Sequence, residues 1–279
     1  MAKIVIAGNK HLAKPNLAQH STHQLVYPKK FPIGRLPLEE IWRPFENLAT
    51  WQPVRDRYEL VHSFNAIPFT TKPFLITFEL FLPYASVSHS NHYFEALLYE
   101  KVKERLASDR CRKIIGISNY AKTRFLKRLK DWHHLETAAS KLEVIHPSFP
   151  SQVSRPKNYD GGSLEIVFIG RHFARKGGIV ALRLAKKALE KRLPITLHIV
   201  SPLKVGSGVP TDFPDSSRYD EDMKLLELPN VILHGQCSNQ TVIKLLEKSH
   251  FQLLATLEDT YGYSILEGFS VATPAIATS

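Results

Sequence analysis

Glu258-Asp-Thr-Tyr-Gly-Tyr-Ser-Ile-Leu-Glu-Gly-Phe-Ser-Val-Ala-Thr-Pro-Ala-Ile-Ala-Thr-Ser279 is the stretch on which the reading of this chain turns. Just ahead of it, Phe251 to Thr256 is a mostly apolar run that reads as a buried parallel strand. The run empties into an acidic, glycine-containing turn from Glu258 to Gly262. An amphipathic helix is expected from about Ser264 to Val271. Thr273 and Pro274 break it, and Ala275 to Thr278 starts another strand. In an open parallel sheet, ligands sit at the carboxyl ends of the strands, and helix N-termini favour anions. The stretch therefore sets Asp259, Gly262 and Glu267 beside a candidate nucleotide site.

Working outward, the 279 residues suffice for two domains with cores of their own. With 43% apolar and 23% charged residues the chain is an ordinary globular one, not a disordered or fibrous one. No run of about 18 apolar residues occurs, so no spanning helix is expected. Met1 to Gly8 reads as a first strand rather than a secretory signal. Cys111 and Cys237 are isolated, which fits a reducing compartment, so a cytoplasmic location is expected. The net charge of +11 is concentrated in the first half, where residues 1–150 carry 22 Lys and Arg against 13 Asp and Glu. Lys101 to Lys130 alone holds 11 basic residues, with Glu104 and Asp109 as its acids. Two readings of that segment compete: a solvated helix face, or a surface for peripheral contact with anionic lipid or an acidic acceptor. No recognition motif accompanies the charge, so nucleic acid is not an expected partner.

Gly170-Arg-His-Phe-Ala-Arg-Lys-Gly-Gly178 is the second informative stretch. It joins an apolar strand, Leu164 to Arg171, to a helix from Gly178 to Lys191. A site for a diphosphate needs exposed backbone N–H groups, hence glycines, and fixed cations. Arg171 offers a bidentate fork and Lys176 a compact point charge. Singly, such residues make a basic loop capping a helix. Elsewhere strands are expected at Lys3 to Ala7, Gln24 to Tyr27, from Leu60, Phe74 to Leu80, Lys113 to Ser118, Leu142 to Pro147, Ile195 to Val200 and Val231 to Gly235. Helices are expected at 37–48, Asn91 to Leu106, after Ser118 as N-cap, and Ser238 to Ser249. Residues 149–163, rich in Pro, Ser, Gly and charge, read as a linker between domains 1–148 and 164–279. His89 and His92 have the spacing of a metal pair but no acidic or cysteine partner nearby, and a solvated loop is favoured. Asp220-Glu-Asp222, inside an irregular acidic insertion from Asp212 to Leu228, is read as a solvated helix N-terminus rather than a metal site.

Taken together, Asp259 through Glu267, Gly268, Thr273-Pro274 and the Gly170-Arg171…Lys176-Gly177 loop resemble the signature of retaining GT-B glycosyltransferases, family 4. The family usually has Glu at the first acidic position, and here Asp259 stands in register with Glu258 beside it. The resemblance implies an α/β fold of two Rossmann-like, doubly wound parallel-sheet domains facing a cleft. It implies transfer of a hexose from a nucleotide-diphosphate sugar to a hydroxyl acceptor: a lipid, a growing polysaccharide or a small metabolite. Arg171 and Lys176 would stabilise the leaving diphosphate, Asp259 would face the sugar, and Glu267 would hold the ribose. Gly8, Gly170, Gly177, Gly235, Tyr261, Gly262, Tyr263 and Ser264 would line the donor. Many members carry a His at the end of the Phe74 strand, where this chain has Glu79, read either as a polar contact in the cleft or as an ordinary strand-end acid. The first loop has Gly8 where relatives have several glycines, and Leu60 to Pro68, with His62, resembles the family's strand ending in a His-containing loop. No metal and no other cofactor is implied. Family members also continue beyond the Thr-Pro strand, so the second domain is expected to be incomplete. An epimerase on the same scaffold and an inactive donor-binding or membrane-surface module remain the alternative readings.

Overall fold

The computed structural model describes residues 1–17, 21–28, 49–51, 57–83, 93–153, 157–206, 216–257 and 259–278, with the backbone alone for 49, 51 and 93–98. The helix expected at 37–48, the His89 and His92 pair, Asp212 and Glu258 lie outside them. The chain divides into two units, Met1–Ser148 and Phe149–Ser279.

The first unit starts with β1 (Lys3–Gly8), α1 (Lys10–Asn16), β2 (Gln24–Val26), β3 (Ala49–Trp51), β4 (Leu60–Phe64), β5 (Ile67–Phe69) and β6 (Phe74–Phe78). It continues with α2 (Tyr93–Ala107), β7 (Cys111–Gly116), α3 (Asn119–Arg128), α4 (Leu135–Ala139) and β8 (Leu142–Val144). Six of the strands form one sheet in the order β2-β1-β4-β6-β7-β8, every pairing parallel, and β3 pairs with β5 alone. Parallel strands covered on both faces must be apolar along their length, which is why these runs were legible without alternation. Val5, Val61, Phe74, Ile76, Phe78 and Ile114 are fully buried there, and α3 adds Ala121 and Phe125. Ser118 caps α3 as expected, its Oγ accepting from the Ala121 N–H at 3.1 Å.

His62 was expected in a loop after the Leu60 strand. It lies inside β4 instead, because residues 60–64 are all committed to pairing with β1. Its Nε2 is 2.8 Å from Thr77 Oγ1, and its ring stacks on Phe64 at 4.4 Å. Burial holds this imidazole down to about 4 from an ordinary 6.5. Between those values the unfolded chain binds a proton that the folded chain refuses, so stability rises with pH through the window and is lost on acidification. The loss between pH 7 and pH 4.5 is about 2–3 kcal/mol from this residue. Urea unfolding at both pH values on wild type and His62→Gln checks it. The variant, which keeps a partner for Thr77, should show the smaller acid loss, and equal losses would refute the assignment.

The second unit contains β9 (Leu164–Ile169), α5 (Gly178–Glu190), β10 (Ile195–Val200) and α6 (Asp220–Met223). It ends with β11 (Val231–Gly235), α7 (Asn239–Lys248), β12 (Phe251–Leu254), α8 (Tyr263–Ser270) and β13 (Ala275–Ala277). The five strands lie in the order β11-β10-β9-β12-β13, again all parallel. The expected strand ending at Thr256 stops at Leu254, and the helix begins one residue early, at Tyr263. The insertion expected to be irregular is regular over its described part: Ser216–Tyr219 and Lys224–Glu227 are 3-10 turns flanking α6. Tyr219 is what organises it, buried in the core beside Phe168, Leu182 and Leu197. Asp222 is engaged by the Arg183 guanidinium through two hydrogen bonds, 2.8 and 2.6 Å, so the Asp-x-Asp is half of a surface ion pair.

Residues 149–163, expected as the linker, are fastened to this second unit where they are described. Gln152 N donates to Ser270 O at 2.7 Å, and Val153 packs with Val167, Val200 and Leu246. Lys157 Nζ donates to Leu246 O, Ser249 O and Thr273 Oγ1.

Candidate functional site

In both sheets the chain starts near the centre, adds strands to one side and then returns to the other. The point of return is where the carboxyl ends of two neighbouring strands diverge and leave a crevice for a ligand. In the second unit that point lies between β9 and β12. The loop after β9 is Gly170–Gly177, and the loop after β12 is 255–262. The two sequence motifs, some eighty residues apart in the chain, thus open from adjacent strands.

Their contacts are direct. Lys176 Nζ donates to Asp259 Oδ2, both side chains being 19% exposed, and Asp259 Oδ1 accepts from the Thr260 N–H at 2.9 Å. Thr256 Oγ1 donates to Arg175 O at 3.0 Å. Gly177 presses on Ala255: with φ at +87° it is left-handed, and a Cβ there would stand 2.2 Å from Ala255 O. Neither condition admits an ordinary side chain. Phe173, stacked edge-on against Phe168 at 5.4 Å, fixes the loop from below.

Two helices begin at this place. α3 and α7 elsewhere are capped by Ser118 and Ser238, whose hydroxyls accept from the first turn. By contrast, α5 is preceded by Gly177 and α8 by Gly262, both left-handed and both without a side-chain cap. First-turn N–H groups without a side-chain acceptor, at the positive end of the helix dipole, suit an anion. The cations agree. Arg171 is exposed and makes no hydrogen bond or ion pair with the described residues. His172 is pushed below its ordinary pKa by burial first, then by the charges of Arg175, Arg171, Lys176 and Lys204. Its Nδ1 is buried with no hydrogen-bond partner among the described residues. The four cations gathered around it make the field at this place positive.

Glu267 lies on α8, with its Oε1 accepting from Asn239 Nδ2 at 2.8 Å. The Tyr261 and Tyr263 rings lie 5.7 Å apart at the start of α8, and Ser264 is in its first turn. Gly170 fits between the Phe168 ring and Lys176 Cβ, whereas Gly235, at the end of β11, faces open space. Thr256, Asn239 and His172 were missed in the sequence. His172 stood inside the motif, but nothing in the sequence signalled Asn239.

Two expected residues belong to the first unit and are described there alone. Gly8 ends β1 at that sheet's own point of return, left-handed at φ +75° and with Phe64 O where a Cβ would stand. Glu79 follows β6, its N–H donating to Asn65 Oδ1 at 3.1 Å.

Comparison with known proteins places this geometry. Residues 152–279 match the family described as Glycosyl transferases group 1. That match takes in nearly all of the second unit. No curated protein matches the sequence. Among solved structures, the chain is similar to a trehalose-6-phosphate structure from E. coli bound with UDP-2-fluoro glucose. That match has 14% identity and a TM-score of 0.60, and it covers 99% of this chain and 84% of the other. It is also similar to sucrose-phosphate synthase from Thermosynechococcus elongatus, at 13% identity and a TM-score of 0.54, covering 99% and 81%. Against S. aureus TarM in complex with Fondaparinux, alpha-GlcNAc-glycerol and UDP, the values are 13% and 0.47, and this chain spans 41% of that one. The two all-parallel α/β units are those of the GT-B fold. Among the described residues no helix is long and apolar enough to cross a membrane.

Proposed function

We propose that the chain transfers a hexose, with retention, from a nucleoside-diphosphate sugar to a hydroxyl acceptor. The observation that carries this reading is the meeting of Lys176 with Asp259 between two uncapped helix N-termini at the point of return. An arrangement that is cationic, rich in N–H groups and next to a carboxylate suits a diphosphate joined to a sugar. Arg171 and Lys176 stabilise the charge that develops on the leaving diphosphate. Asp259 takes the sugar hydroxyls as Lys176 turns to phosphate, and Glu267, steadied by Asn239, takes the ribose. The C1–O bond to phosphate breaks while the acceptor oxygen bonds to C1 on the same face. The acceptor proton passes to a leaving phosphate oxygen, so the step requires no pair of carboxylates and no metal. UDP-2-fluoro glucose in the E. coli structure favours a uridine donor over a guanosine one.

A peripheral contact with anionic lipid through 101–130 is the second part of the reading, supported by exposed Lys122, Arg124 and Lys127 on α3. Part of that charge is spent internally. Arg105 donates to Pro68 O and Thr70 O, and Lys113 pairs with Glu143 at 2.9 Å.

Thermal unfolding with UDP, GDP and ADP on wild type and on the Arg171→Ala, Lys176→Ala double variant tests the site. A ligand that binds only the folded state at a hundred times its Kd adds about 2.7 kcal/mol. One nucleotide should raise the wild-type melting temperature and leave the double variant unmoved. Stabilisation of neither, or of both alike, would sink the reading.

A further inference from the structure

We propose that Glu104, His133 and His134 form a site for one borderline divalent cation of the zinc class. The three residues come from two places in the first unit: Glu104 from α2, the two histidines from the turn that leads into α4. One ligand atom of each lies within 4.8 Å of the others. Two imidazole nitrogens and a carboxylate oxygen are the donor set that zinc takes when three protein ligands leave a fourth position to water.

Distances and surroundings carry the assignment. Glu104 Oε2 and His134 Nε2 are 3.3 Å apart. Metal bonds of about 2.0–2.1 Å in a tetrahedron set neighbouring donors about 3.4 Å apart, so this pair already stands at coordination spacing. The other carboxylate oxygen is spoken for: Glu104 Oε1 accepts from Trp132 Nε1 at 3.1 Å. Trp132 is 7% exposed and belongs to the core, so its N–H is a fixed donor. A buried second partner that orients a ligating carboxylate is the usual accompaniment of a metal site. The indole also packs edge-on against both imidazoles, at 6.4 and 5.8 Å, and the two rings lie 4.0 Å apart. His134 occupies the N-cap position of α4 without capping it, so its imidazole is not committed to the helix. Lys103, whose ammonium lies 5.7 Å from the Trp132 ring centroid, is held by Glu100 at 2.7 Å. Without a cation, the Glu104 and His134 contact is a half-exposed surface contact of the kind that contributes little to stability. With one, it ties α2 to the 132–135 turn across some thirty residues of chain.

The test uses the full chain after chelator treatment, titrated with Zn²⁺ and with Co²⁺ as a spectroscopic probe. One equivalent of Co²⁺ should give the strong visible absorption of a four-coordinate ion, Zn²⁺ should displace it, and Zn²⁺ should raise the melting temperature. His133→Ala, at an exposed position, and Glu104→Gln, which preserves the carbonyl for Trp132, should each weaken binding at least tenfold while melting with wild type in chelator. Absence of the absorption band overturns the proposal. So does unchanged affinity in both variants, which would assign the binding to scattered surface histidines.

Discussion

Arg171→Ala is expected to leave folding stability unchanged within about 0.5 kcal/mol and to lower kcat/KM for sugar transfer by about 10²–10³-fold. The two halves of that statement come from one observation: the guanidinium is exposed and bonds to nothing among the described residues. A side chain with no structural task can matter only to what binds beside it. Lys176→Ala should cost activity by a similar factor, but it also removes the partner of Asp259, a partly buried carboxylate. A modest loss of stability therefore accompanies it. Initial-rate kinetics against donor concentration, with urea unfolding on the same preparations, separates the two effects. Equal stability loss in both variants, or wild-type rates in Arg171→Ala, would remove Arg171 from the diphosphate site.

Gly177→Ala is expected to be the most damaging single methyl group in the second unit. The left-handed backbone costs a non-glycine residue roughly 1–2 kcal/mol. The clash is added to that, since a Cβ 2.2 Å from Ala255 O cannot be relieved without parting the two loops. The sum is on the order of 3 kcal/mol, with nucleotide binding lost ahead of global unfolding because the loops themselves are displaced. Gly235→Ala provides the comparison. Its φ is +68°, but nothing lies within 4 Å, so only the conformational cost of about 1 kcal/mol applies. Urea midpoints and nucleotide affinities for the two variants check the ranking. Similar losses at both positions would show that backbone conformation, not the packing of the two motif loops, dominates.

The parallel sheets were legible because buried parallel strands are written as uninterrupted apolar runs, such as Leu164-Glu-Ile-Val-Phe-Ile169 and Ile195-Thr-Leu-His-Ile-Val200. The two motifs were legible because each is local: a strand end, a glycine turn and a helix start. Their meeting was not. Nothing in residues 170–178 says that Lys176 reaches Asp259, since only the strand order β9 next to β12 brings them together. His62 was misplaced for a related reason. A histidine beside Ser63 looks like a loop residue until pairing with two neighbouring strands claims it. The insertion around Asp220 looked irregular because its anchor is one aromatic residue, Tyr219, set among polar ones, and a single buried ring leaves no periodic trace. Composition likewise described 149–163 as linker, without revealing that Lys157 is fixed there by three oxygen acceptors.

That lysine has a practical consequence for dividing the protein. Its acceptors are the C-terminal end of α7 and the residue that precedes Pro274, positions some ninety and more residues downstream. A polypeptide beginning at Leu164, where the first strand of the unit begins, would leave the carbonyls of Leu246 and Ser249 and the Thr273 hydroxyl without their cation, and would uncover Val167 and Val200 where Val153 now lies. The piece that can be expressed as a self-sufficient second unit therefore starts at or before Gln152, and a protease should find its first productive cut in this region on the amino-terminal side of that residue.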